Sequence, residues 1–453
     1  MGIESWERSR SRTLLRNWIV AAGLCSFLTA GCGGGEEPEE EQASTGFLRP
    51  SSTVQAAETA PAEAPGQDPG APSTPEADPV EASAQPAQPD EPRGSTSGVA
   101  ARDASDLEIA SALLHEPYAN FAQLIDRRAS QLDRDRRRML LAFSAARAGA
   151  HDQALDMAEG LADSKALTSS ESRLLEVALD PAGGASALDS LALASPLERA
   201  MELGLIELRA KQSSERGEHA AAARGYSRLI QAELQSPWVA DRDALRRWSQ
   251  TLHATQDQHR WNPYGTWASV DMTVRPSDSL IAIRKRVLAQ HPEMLLCTGL
   301  IARANRLADE GAIRPDDVLR VPTDRASARV YVGARWTLFL MGDEVVGSWE
   351  VGVGKEDGTT RPGEYEIGDK QSEPMWFQPG RAPVPFGDPE NPLGTRWMAW
   401  HQAGKGTSLG FHGTSDPDGV GGRVSKGCVR MRNQDVEALF QVLPRQARVT
   451  VLP

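Results

Sequence analysis

At Pro322 the spacing of apolar residues changes period, and that change splits the foldable part of the chain into a helical half and a strand half. Before it, apolar residues recur at three- and four-residue intervals in segments rich in Ala, Leu, Glu and Arg, which is the spacing of one helix face. After it, Trp349-Glu-Val-Gly-Val353 and Tyr365-Glu-Ile367 read as strands of period two, with Arg329-Val-Tyr-Val332 and Trp336 to Met341 also strand-like. Turn pairs at Gly333-Ala334, Gly342-Asp343, Asp357-Gly358 and Pro362-Gly363 suit a mostly antiparallel meander. One closing helix is expected, with Asn433 as its cap and Val436, Leu439, Phe440 and Leu443 on one face before Pro444 stops it. Residues 448–452 form a last strand.

The N-terminal fifth belongs to neither half. Glu36-Glu-Pro-Glu-Glu-Glu41 and the Pro, Ala, Ser and Gln that follow, to about residue 102, carry too little apolar surface to offset ordering entropy. Residues 32–102 therefore read as a disordered, semi-extended tether. Upstream, Arg8, Arg10, Arg12 and Arg16 precede an apolar run from Trp18 to Leu28, which is too short to span hydrocarbon and is expected to be an export signal over residues 1–31. Leu28-Thr-Ala-Gly-Cys32 resembles the lipobox of bacterial lipoproteins. That resemblance implies cleavage before Cys32, lipidation of its thiol, and a protein anchored to a membrane of the cell envelope. Cys25 would leave with the signal.

A chain of 453 residues exceeds one core and should divide into about three domains. Its net charge of -13 argues against a nucleic-acid partner. Four cysteines in so long a chain form no disulfide framework, and no cofactor is expected.

Residues 103–260 are expected to be an all-α array. Ala145-Ala-Arg-Ala-Gly-Ala-His-Asp-Gln-Ala-Leu155 and Arg216-Gly-Glu-His-Ala-Ala-Ala-Ala-Arg-Gly-Tyr226 resemble the turn of a tetratricopeptide repeat, in which a glycine ends one helix and alanines let its partner approach. Such an array could present a face to a protein partner. Residues 271–322 contain Met272-Thr-Val-Arg-Pro-Ser-Asp-Ser-Leu-Ile-Ala-Ile283 and end in Val318-Leu-Arg-Val-Pro322, and they resemble a LysM module. The resemblance implies a small α+β unit of strand, two helices and strand that binds peptidoglycan glycan. Ser277 and Asp316 stand where that family usually has glycine.

The residue that carries chemistry is Cys428, in Arg423-Val-Ser-Lys-Gly-Cys-Val-Arg-Met431, which follows Phe411-His-Gly-Thr414. A thiol attacks as thiolate, and the imidazole of His412 is the natural activator. Glycines beside both residues, Gly413 and Gly427, would let the backbone approach a substrate and turn amides toward a developing oxyanion. His401, His412 and Cys428 lack ligand spacing, so no metal site is expected.

Thr359-Thr-Arg-Pro-Gly-Glu-Tyr365, Asn391-Pro-Leu-Gly-Thr-Arg-Trp397, Phe411-His-Gly-Thr414 and Ser425-Lys-Gly-Cys-Val-Arg-Met431 occur in this order. Together they make residues 325–453 resemble a YkuD-type L,D-transpeptidase catalytic domain, a mostly-β sandwich. The resemblance implies that Cys428 is the nucleophile and His412 the general base and acid. It further implies that the Gly413 carbonyl orients the imidazole and the Gly427 amide donates to the oxyanion. Substrate contacts are expected from Arg430, Ser425, Lys426, Trp397 and Trp400. Lys426 replaces a histidine common in the family, and Arg430 suits a peptide carboxylate.

The implied reaction is peptidoglycan 3-3 cross-linking between tetrapeptide stems, through a cysteine thioester and with loss of terminal D-alanine. The same acyl-enzyme would support L,D-carboxypeptidase action or attachment of a protein to peptidoglycan. A non-catalytic, wall-binding scaffold lipoprotein is the reading of a different class.

Overall fold

The protein is described here from a computed structural model over residues 97–180, 193–356, 359–378 and 380–453. The export signal, Cys32 and the tether as far as residue 96 lie outside the described residues. The first described helix, α1 (Ser97–His115), begins inside the stretch read as tether.

Seven further helices make up the array: α2 (Tyr118–Arg127), α3 (Arg134–Arg147), α4 (His151–Ala158), α5 (Ser169–Leu179), α6 (Pro196–Glu215), α7 (His219–Leu234) and α8 (Arg242–Gln258). Gly149 and Gly217 end α3 and α6 with φ of 83° and 73°. Each end is closed by a bond back across the last turn, from the Ala150 amide to the Ala145 carbonyl (2.9 Å) and from the Glu218 amide to the Ser213 carbonyl (2.8 Å). At their starts α5 and α6 carry reciprocal capping boxes, Thr168 with Glu171 and Ser195 with Glu198.

Next come β1 (Ser269–Thr273), α9 (Leu280–Gln290), α10 (Thr298–Ala304) and β2 (Val318–Pro322), with β1 and β2 paired antiparallel. Asn305 ties this unit together. Its Nδ2 donates to the carbonyls of Ile301 (2.8 Å) and Arg320 (2.7 Å), and its Oδ1 accepts from the Arg320 amide (2.9 Å). Ser277 and Asp316 adopt left-handed φ of 66° and 73°, the conformation that glycine takes without steric cost. Cys297 caps α10 rather than lying inside it, and its Sγ donates to the carbonyl of Gln441 at 3.2 Å.

The C-terminal strands are β3 (Ala326–Tyr331), β4 (Trp336–Met341), β5 (Glu344–Glu350), β6 (Val353–Gly354), β7 (Gly363–Ser372), β8 (Arg396–Gln402), β9 (Lys405–His412), β10 (Arg423–Ser425), β11 (Val429–Arg430) and β12 (Arg448–Leu452). The sandwich expectation needs correction in its proportions. Eight strands form one sheet in the order β11-β9-β8-β7-β12-β3-β4-β5, and only β6 and β10 stand apart as a pair. The sheet is mostly antiparallel as expected, but it is not a simple meander, because β11–β9 and β12–β3 run parallel within it and β10–β6 beside it.

The closing helix is α11 (Asn433–Val442), with Val436, Leu439 and Val442 buried. Asn433 is not its cap. Arg432 holds that position and makes no side-chain capping bond, while the Asn433 side chain turns away from the helix.

Both faces of the sheet's β3–β4–β5 end are covered. Phe339, Met341 and Val346 join α11 and the β1–β2 unit in one core, whereas Trp336, Leu338, Leu340 and Val345 join α1, α6, α7 and α8 in another. Every residue of β4 is buried as a result. The free edge of β5 is occupied by side chains from the helices. Ser227 accepts from the Val345 amide (2.8 Å), His253 accepts from the Ser348 amide (3.1 Å), and Gln256 donates to the Val345 carbonyl (2.9 Å). Burial pulls the His253 pKa down, consistent with a neutral ring accepting that bond.

Candidate active site

Three neighbouring strands set the site by register. Trp397 of β8 pairs with His412 of β9, and His412 pairs with Arg430 of β11. The next row, Met398, Phe411 and Val429, lies fully buried in the core. Because side chains alternate across a strand, Trp397, His412 and Arg430 share the face opposite that row, and Cys428, just before β11, falls on the same face. The Trp397 and His412 rings stand 5.9 Å apart.

His412 is buried, with Nδ1 2.6 Å from the Gly413 carbonyl. A carbonyl can only accept, so Nδ1 carries the hydrogen and Nε2 is left with a free lone pair, the tautomer a base requires. Burial outweighs the carbonyl bond and pulls the His412 pKa from 6.5 to about 4. Burial also pushes the Cys428 thiol up to about 11, against the lowering effect of a backbone bond at Gly410 and of Arg430. The resting pair is therefore neutral thiol and neutral imidazole. The thiol must therefore lose its proton as it attacks. In this structure Cys428 Sγ donates to the Ser408 carbonyl at 3.3 Å.

The loop ahead of Cys428 is held by its own hydroxyl. Ser425 Oγ donates to the Cys428 carbonyl (2.7 Å) and accepts from the Gly427 amide (3.0 Å). Two expectations are corrected by this. Ser425 is buried and braces the loop instead of facing substrate, and the Gly427 amide is already engaged and not free for an oxyanion. Gly427 has φ of 134°, and a Cβ there would stand 2.5 Å from the Thr359 carbonyl oxygen. Thr360, buried on the same side, donates to the Gly427 carbonyl (2.8 Å) and accepts from the Gly354 amide (2.9 Å).

Trp400 is a third correction. It is fully buried, edge-on to Phe411 at 4.9 Å and 5.2 Å from Tyr365, on the core face where substrate cannot reach it. Lys426 is exposed, and Arg430 is half-buried with its Nε shielded and without a hydrogen-bond partner among the described residues. No group of three or more His, Cys, Asp or Glu suited to a metal occurs among the described residues.

Other residues support the site without having been singled out. Glu350, at 3% exposure, gathers Arg242 and Arg246 of α8 together with Arg432, which lies two residues beyond Arg430. Burial pushes the Glu350 pKa up, but hydrogen bonds from Arg246 and Arg242 prevail and hold it below the usual carboxylate value. Asn391 braces the β7–β8 connection, its Nδ2 donating to the carbonyls of Pro374, Val384 and Pro385 at 2.9, 3.2 and 3.1 Å. It lay in plain view in the Asn391-Pro-Leu-Gly string, but only the fold shows what it holds.

Comparison with known proteins agrees with this geometry. Residues 327–451 match the YkuD family of L,D-transpeptidase catalytic domains. A Bacillus subtilis protein named as an L,D-transpeptidase, YqjB, is 36% identical over 113 residues, covering 25% of this chain and 62% of that protein. Its namesake YkuD from the same organism is 30% identical over 122 residues, covering 27% and 63%. The chain thus spans somewhat less than two thirds of the length of either relative. Among solved structures, the catalytic domain of an E. faecium L,D-transpeptidase aligns at 18% identity over 28% of this chain and 98% of that one, with a TM-score of 0.23. The family match falls within the segment that carries β3 to β12 and covers residues 327–451 of this chain.

Proposed function

We propose that the protein is a peptidoglycan L,D-transpeptidase that forms 3-3 cross-links through a thioester on Cys428. The observation that carries this reading is the shared face of Cys428, His412 and Arg430 at the β9–β11 edge, with the guanidinium Nε buried and unpaired beside a base of the correct tautomer. A carboxylate of the donor stem is the natural partner for that guanidinium.

In the donor half, the Cys428 sulfur attacks the carbonyl of the stem's third residue while its proton passes to His412 Nε2. With the Gly427 amide engaged, the amide of Cys428 itself is the donor assigned to the oxyanion. The carbon–nitrogen bond to D-alanine breaks, and the departing amine takes the proton from His412. In the acceptor half, the side-chain amine of another stem's third residue attacks the thioester. His412 takes up its proton and returns one to the leaving sulfur.

The rest of the chain supports delivery to the wall in this reading. The lipobox-like Cys32 would anchor the protein on the periplasmic side of a membrane, facing peptidoglycan, and the tether would set its reach. The β1–α9–α10–β2 unit, by its LysM resemblance, would hold glycan, and the tetratricopeptide-like helices would receive a protein partner.

The test is incubation of the purified protein and of Cys428→Ala with disaccharide-tetrapeptide, read by mass spectrometry. Dimer formed by the unsubstituted protein alone supports the reading. Tripeptide without dimer would reassign it as a carboxypeptidase, and the absence of tripeptide, dimer and acyl adduct would leave the scaffold reading.

A further inference from the structure

The side chain of Asn433 makes none of the bonds expected of a helix start. Its Oδ1 accepts from two backbone amides outside α11, those of Thr395 (3.2 Å) and Thr414 (3.1 Å). The fold makes room for this oxygen by omitting two side chains. A Cβ on Gly413 would stand 2.2 Å from Asn433 Oδ1, and one on Gly394 would stand 2.3 Å from it.

The Thr414 nitrogen and the Gly413 carbonyl belong to one peptide unit. Its N–H donates to Asn433, and its C=O lies 2.6 Å from His412 Nδ1. One rigid amide plane therefore links the asparagine to the imidazole, since a peptide cannot rotate one end without the other. An amide that donates at nitrogen is also polarised into a better acceptor at oxygen. The second bond, from Thr395, fixes Asn433 against the residue that leads into β8, the strand carrying Trp397.

We propose that Asn433 is a positioning residue for His412: through the Gly413–Thr414 peptide it holds Nδ1 as the protonated nitrogen and keeps Nε2 directed at the thiol. This rests on the reading of His412 as the base for Cys428. A residue that served only to tether a loop would not have to act through the one peptide that touches the imidazole.

The experiment compares the full protein with Asn433→Ala, Asn433→Ser and Asn433→Asp. Nitrogen-15 NMR of the His412 ring reports the tautomer without reference to turnover, and carbapenem acylation of Cys428 reports the reaction. Asn433→Ala is expected to populate the Nε2–H tautomer and to slow acylation by about tenfold, the order of one well-placed hydrogen bond. Asn433→Asp, which keeps the acceptor oxygen, is expected to retain the Nδ1–H tautomer. Should the alanine variant fail to fold, Asn433→Ser serves in its place, because its shorter side chain cannot reach both amides. An unchanged tautomer in a folded alanine or serine variant would overturn the proposal even if thermal stability fell. Loss of acylation in the unsubstituted protein would count against the proposed function instead, and the NMR result would stand apart from it.

Discussion

A buried base and a buried thiol that rest neutral should give a pH profile unlike that of an ion pair. His412 is held at about 4 against an ordinary 6.5, and Cys428 at about 11 against 9.0. At pH 5, a pKa of about 4 leaves about 90% of His412 unprotonated, whereas 6.5 would leave about 3%, roughly a thirtyfold difference in competent enzyme. Carbapenem acylation, followed by mass spectrometry, should therefore hold level from pH 8 down to pH 5 and fall only as pH nears 4. Alkylation of Cys428 by iodoacetamide, in a Cys297→Ser background, should keep climbing past pH 9. Stability follows the same group: a depressed histidine pKa contributes stability above pH 6.5 that is lost as pH falls through about 4, on the order of 3 kcal/mol. An acylation midpoint near 6.5, or a thiol that alkylates fully at pH 7, would refute the neutral pair.

Other perturbations test the supports of the site and of the fold. Glu350→Gln removes a buried carboxylate from three guanidinium groups, and urea denaturation should show a loss of about 2 kcal/mol at pH 7. Since the Glu350 pKa is depressed, that stabilisation is present above pH 4.5 and fades as pH falls below it, so the difference between variant and parent should shrink in acid. Ser277→Gly, at φ of 66°, should raise the unfolding free energy read from urea denaturation by up to about 1 kcal/mol, and an unchanged value would argue against strain there. Gly427→Ala forces a Cβ against the Thr359 carbonyl. Acylation should drop by about tenfold to a hundredfold while circular dichroism stays as in the parent.

Patterns of one or two residues carried much of this structure in the sequence. The strands after Pro322 and the final helix are readable from motif and period, because each rests on local spacing. Parity would also have separated Trp397 from Trp400: three residues apart on one strand, they must face opposite ways, and the structure puts one beside His412 and the other in the core. The run Trp336-Thr-Leu-Phe-Leu-Met341, apolar at every position but Thr337, fits a strand covered on both faces, a composition that alternation alone does not explain. What could not be read were the hydrogen bonds that close between distant segments. Thr360 reaching the Gly427 carbonyl and Glu350 meeting α8 depend on how segments far apart in the chain come to lie side by side.

The β5 edge bears on how this chain can be taken apart. Ser227, His253 and Gln256 lie on α7 and α8, so a version trimmed to begin after residue 260 would lose all three and bare Trp336, Leu338, Leu340 and Val345 at the same stroke. Uncovering each such side chain costs about 1.5–3 kcal/mol, and an open strand edge beside them invites pairing with another copy. The helices behave as a built-in blocking strip for the sheet, and a fragment that omits them is expected to self-associate through that edge.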